Sequence, residues 1–81
     1  MIKATLRYTD CLEDGRTVLQ ILARHRVVIL KTKTPIFTIY PKIIAVFKDY
    51  NELQDVLYQL NNNCKYEVRL VKWTNVEENQ L

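Results

Sequence analysis

A chain of 81 residues, 48% hydrophobic and 26% charged, has room for one domain with a modest core and is too apolar to stay disordered. It contains no serine, which removes every serine-nucleophile mechanism. Its single glycine, Gly15, rules out the glycine-rich loops that cradle nucleotide phosphates. No apolar run approaches the ~18 residues of a transmembrane helix, and residues 1–6 lack the apolar stretch of a signal peptide, so the chain reads as intracellular and cytoplasmic.

The net charge of +3 is unevenly spread. Residues 1–48 carry +6, residues 49–64 carry −3, residues 65–73 carry +2 and residues 74–81 carry −2. A basic body with one acidic helix and an acidic tail suits an acidic partner or a nucleic acid, and equally a solvated surface that keeps a small protein dispersed.

Residues 2–8 alternate, with Ile2, Ala4, Leu6 and Tyr8 on one face and Lys3, Thr5 and Arg7 on the other, which predicts a half-buried strand. In residues 10–25 the spacing of Leu12, Val18, Leu19 and Leu22, after an Asp10…Glu13 capping signal, favours a helix. The Asp14-Gly15 pair is a hairpin-turn signal and keeps a hairpin as the alternative. Residues 26–32 predict a strand that is apolar on both faces. Residues 36–47 predict another, divided or bent at Pro41, which has no N–H to give a ladder. Residues 49–62 predict a helix: Asp49 caps it, Glu52 completes a capping box, and Tyr50, Leu53, Val56, Leu57 and Leu60 follow the helical period. The Asn61-Asn62-Asn63 run ends it, because asparagine tolerates the left-handed conformation. Residues 65–73 predict the last strand, with Tyr66, Val68 and Leu70 inward and Lys65, Glu67 and Arg69 outward. One domain, 1–73, is followed by a flexible acidic tail, 74–81.

The order β-α-β-β-α-β is similar to that of ferredoxin-like sandwiches, α+β domains with two helices on one face of an antiparallel sheet. That arrangement brings the end of the first strand beside the start of the last. Cys11 and Cys64 then lie close enough either to form a disulfide or to remain two thiols. Their spacing suggests neither a redox motif nor a zinc knuckle. His25, between two arginines, reads as a surface residue, and no metal or other cofactor is expected. Acylphosphatases share the element order, but where they carry a glycine-rich loop this chain reads Thr9-Asp10-Cys11-Leu12-Glu13, so no catalytic residue is assigned and no enzyme or small-molecule substrate is expected. RNA-recognition domains also share the order and bind on the open sheet face. Here Lys3, Arg7, Lys65 and Arg69 fall at outward positions, with Phe37 and Trp73 as candidate aromatics, but the family's basic-Gly-aromatic core motif is missing from 36–47.

Apolar residues on both sides of the central strands predict a patch that the helices leave uncovered. Val28, Leu30, Ile44, Val46, Val71 and Trp73 are its candidate residues, and patches of this kind mark interaction surfaces. The leading expectation is a non-enzymatic protein-interaction or regulatory module, a homodimer through that face or bound to a protein partner, with no membrane contact. The alternative is a nucleic-acid-binding protein using Arg24, Arg26, Lys31 and Lys33. In texture the chain has no serine, one glycine, abundant Ile, Val, Leu, Tyr and Lys, and two cysteines. It resembles the small orphan proteins of thermophilic archaeal viruses. That resemblance implies a regulator or binder of host factors acting in the host cytoplasm.

Overall fold

A computed structural model describes residues 1–9, 12–33, 41–77 and 79. The elements are β1 (Ile2–Arg7), α1 (Leu12–Arg24), β2 (Val28–Lys33), β3 (Lys42–Phe47), α2 (Tyr50–Asn63) and β4 (Arg69–Asn75). The strands form one antiparallel sheet in the order β2-β3-β1-β4. Each helix therefore links two strands across a third, and the chain adopts the α+β ferredoxin-like arrangement that its element order predicts. Expected strand residues 36–40, together with Phe37 and Cys11, lie outside the described residues, and so does the Cys11 half of the Cys11–Cys64 pairing.

β1 reads as its alternation dictates. Ile2, Ala4 and Leu6 are buried against the helices, directly opposite Phe47, Ala45 and Ile43 of β3. Val18, Ile21 and Leu22 of α1 and Leu53, Val56 and Leu60 of α2 close the core over them.

α1 settles the choice between helix and hairpin. Asp14 and Gly15 lie inside the helix, and the buried stripe is Asp14, Val18, Ile21 and Leu22, while Leu19 points to solvent. The expected face was turned because a carboxylate occupies it. Asp14 is buried, and its two oxygens accept the backbone N–H groups of Lys65 (2.7 Å) and Tyr66 (2.9 Å). Gly15 performs no turn. A Cβ there meets only the Tyr8 ring edge, at an ordinary 3.9 Å. Gly15→Ala is therefore expected to stabilise the protein by about 1 kcal/mol, the usual helix-interior difference, and to raise Tm by roughly 4–8 °C in a thermal melt. A lower Tm would show that the Tyr8 contact is tighter than this geometry allows.

α1 ends at Arg26, the only described non-glycine residue with positive φ (57°). The Arg26 N–H reaches the Ala23 carbonyl and the Val27 N–H reaches the Leu22 carbonyl, both at 3.0 Å, which is the Schellman pairing with an arginine in the position that glycine usually takes. His25 is half-buried rather than an isolated surface residue. Its Nε2 lies 3.0 Å from Gln59 Oε1 and ties α1 to α2.

α2 starts as predicted. The Asp49 carboxylate accepts the Glu52 N–H (2.8 Å), and the Glu52 carboxylate reaches back to the Lys48 N–H (2.9 Å). Its end differs from expectation. No asparagine takes the left-handed conformation, and Cys64 caps the helix in extended geometry (φ −88°, ψ 147°), its N–H bonded to the Leu60 carbonyl. Asn61 serves the neighbouring segment instead. Its Oδ1 accepts the Val68 N–H (2.7 Å) and its Nδ2 donates to the Val68 carbonyl (3.0 Å).

Those side-chain bonds explain why the last strand begins late. Asp14 takes the N–H groups of residues 65 and 66, and Asn61 takes both backbone groups of residue 68, so none of these is left for a ladder. Val68 is still buried and Leu70 half-buried, but Tyr66 is exposed. The strand then runs to Asn75, beyond its expected end at residue 73, and the Val76 N–H bonds to the Met1 carbonyl at 2.9 Å.

Candidate functional site

Directly paired residues of an antiparallel sheet share a face. Lys3, Thr5 and Arg7 therefore define the face away from the helices, with Val46, Ile44 and Lys42 opposite them on β3. Two bulges decide what else this face carries. On β2 the register shifts between Ile29 and Lys31, and on β4 it shifts beside Val71, between the Thr5–Lys72 and Leu6–Leu70 pairs. A one-residue slip reverses the facing of everything beyond it. Simple alternation from Val28 would send Lys31 and Lys33 toward the helix face. The bulge at Leu30 instead sets Lys31 opposite Ile44 and Lys33 opposite Lys42, both on the open face. The bulge at Val71 does the same for Lys72, opposite Thr5, and turns Trp73 inward, opposite Ala4.

All four strands lack acidic residues, while their basic residues are Lys3, Arg7, Lys31, Lys33, Lys42, Arg69 and Lys72. Every one of these seven holds a register position on the open face. Across the sheet Lys33, Lys42, Arg7 and Arg69 form one continuous row, about 14 Å long at the usual strand spacing. Like charges directly opposite one another are destabilising, so the fold carries three such pairs at a cost. Glu67 approaches Arg69 at 3.2 Å, but with side chains 61% and 66% exposed the pair contributes little. The helix layer has the opposite character. α1 holds two acidic and two basic residues, and α2 holds Glu52 and Asp55 with no base.

In the middle of the open face is a shallow cavity of about 160 Å³, lined by Thr5, Lys42, Ile44, Val71 and Lys72. Its floor is apolar and its rim carries two ammonium groups, a form suited to a charged group with an apolar neighbour.

The residues of the expected apolar patch divide. Val28, Leu30 and Val71 are exposed and Ile44 is half-buried, but Val46 is buried at 4% exposure. Trp73 does not join them. It lies on the helix side, its ring 5.1 Å from that of Tyr50, because the Val71 bulge reverses the alternation that placed it outward. Lys31 and Lys33 join the basic face at their register positions. Arg24 and Arg26 lie at the exposed end of α1, on no strand, and Lys65 lies in the segment before β4. Sequence reasoning missed Lys42 and Lys72. The alternation Lys42, Ile44, Val46 was available to find the first, whereas the second depends on a bulge that leaves no mark in the residue pattern.

Among the described residues no three His, Cys, Asp or Glu side chains gather as metal ligands, and no helix is long and apolar enough to cross a membrane. No protein-family model matches the chain, and no curated protein matches its sequence.

Proposed function

We propose that the protein is a binding module for single-stranded nucleic acid, with the sugar-phosphate backbone laid across the open sheet face. The observation that carries this reading is that all seven strand Lys/Arg residues occupy that face while no strand holds an acid. Such a surface gains affinity by releasing counterions from phosphates. Binding also relieves the repulsion within the Lys33–Lys42–Arg7–Arg69 row. No aromatic residue holds an open-face position in the described strands, so the contacts are to phosphates and tolerate many sequences, unlike recognition by base stacking. A nearly flat four-stranded face fits a pliable single strand better than the convex wall of a duplex.

Titration of a labelled oligonucleotide by fluorescence anisotropy at several salt concentrations tests the reading. If roughly four to seven phosphates are engaged at about 0.7 counterions each, log Kobs should fall against log salt with a slope of about −3 to −5. The Lys42→Gln, Lys72→Gln double variant should flatten the slope by about 1.4. Binding by the double variant with an unchanged slope would sink the proposal.

A second reading is self-association or protein docking through Val28, Leu30 and Val71, which are exposed on or beside the same face. Two copies docked there would bring the basic rows toward each other, which disfavours a homodimer at low salt. A mass by light scattering that doubles as salt rises would favour this second reading.

A further inference from the structure

The basic row ends in a second cavity, larger than the one at the centre of the face. It measures about 390 Å³ and is lined by Arg7, Tyr8, Thr9, Tyr66, Glu67 and Arg69. Arg7 and Arg69 are direct cross-strand partners, so the register brings two guanidinium groups to one wall. Thr9 Oγ1 is buried there and has no hydrogen-bond partner. A buried hydroxyl without a partner is uncommon in a folded protein and calls for an explanation. Tyr8 packs partly into the core while Tyr66 stays exposed, so the cavity has an aromatic wall as well as a cationic one.

We infer that this cavity holds the terminal nucleotide of the bound strand, with its phosphate monoester between Arg7 and Arg69 and accepting a hydrogen bond from the Thr9 hydroxyl. The inference rests on the nucleic-acid reading and adds to it a preference for strand ends. A terminal phosphate differs from an internal one in two ways that this site can sense. It carries close to two negative charges at neutral pH and presents three acceptor oxygens. Guanidinium forks match that geometry in bidentate fashion, and the donor that the fold leaves unsatisfied adds a further bond. The volume exceeds what a phosphate alone needs, which leaves room for the attached nucleoside against the tyrosine rings, where sequence-tolerant stacking occurs. The Arg69–Glu67 pair is exposed and weak, so Arg69 can turn to the phosphate at little cost.

The test compares a short oligothymidylate carrying a 5′-phosphate, a 3′-phosphate or hydroxyls at both ends, in competition against one labelled strand. One phosphorylated form should bind about tenfold tighter than the hydroxyl form, the scale of one or two charge-assisted bonds, and the preferred end gives the polarity of the strand on the sheet. Thr9→Val removes the hydroxyl while keeping the shape. It should reduce that preference severalfold, leave affinity for the hydroxyl form within about twofold, and leave Tm equal or higher, because the hydroxyl has no partner to lose. Arg69→Gln should reduce the preference further. Equal affinity for all three oligonucleotides overturns the cavity assignment and leaves the sheet-face reading standing. If no oligonucleotide binds, the sheet-face reading fails, and thymidine 5′- and 3′-monophosphate then test the cavity alone. A rise in Tm with either, reduced by Thr9→Val, keeps the cavity as a nucleotide site, and no rise with either ends the proposal.

Discussion

Asp14→Ala should cost about 2–5 kcal/mol, a large share of the stability expected for a chain of this size. The side chain is almost fully buried and accepts two backbone N–H groups at 2.7 and 2.9 Å from residues fifty-one and fifty-two positions along the chain. Removing the carboxylate leaves both donors without partners and opens a small void against α1. Asp14→Asn is the sharper variant. It keeps the volume, but its amide nitrogen donates where the protein requires an acceptor, so at most one of the two bonds survives. A substantial loss is therefore expected from a nearly isosteric change, and urea unfolding read by fluorescence measures it. Trp73 is the single tryptophan of the chain and stacks on Tyr50 of α2, so its emission reports loss of the contact between β4 and that helix. If Asp14→Asn unfolds at the native midpoint, the carboxylate is not holding the 65–66 segment.

Phe47→Ala is expected to be comparably severe. The ring is fully buried at the end of β3, opposite Ile2, and is among the largest fully buried side chains of the core. Truncation combines lost transfer energy with a cavity, about 3–5 kcal/mol, whereas Phe47→Leu keeps most of the volume and should cost far less. On the scale of 4–8 °C per kcal/mol the alanine variant should melt some 15–30 °C lower. Similar melting of the two variants would mean that the core repacks around residue 47 more freely than its burial implies.

The residues show unequally what they build. The β1 alternation and the α2 capping signals state their structure directly, because each element satisfies its needs within its own segment. The order of elements then limits the sheet to few topologies. The remaining features arise between segments. Asp14 read as half of a turn signal, because the groups it bonds lie at residues 65 and 66. Asn61 read as a helix stop, while its amide serves Val68. The candidate site suffered most, since its composition depends on two inserted residues, Leu30 and Val71. An inserted apolar residue within an apolar strand resembles continued alternation, so Lys72 escaped notice and Trp73 was expected on the wrong face.

The two bulges also occupy telling positions. β2 and β4 are the outer strands of the sheet, and each carries one. An outer strand offers a line of free backbone groups onto which another chain can zip, and a bulge interrupts that line. Lys31, Lys33 and Lys72 stand on these same strands and would crowd any strand that tried to add. The insertions that turn the cations to one face thus also make the sheet a poor template for growth. A strand-rich protein this small can in this way remain a discrete particle at the concentrations needed to coat a polymer.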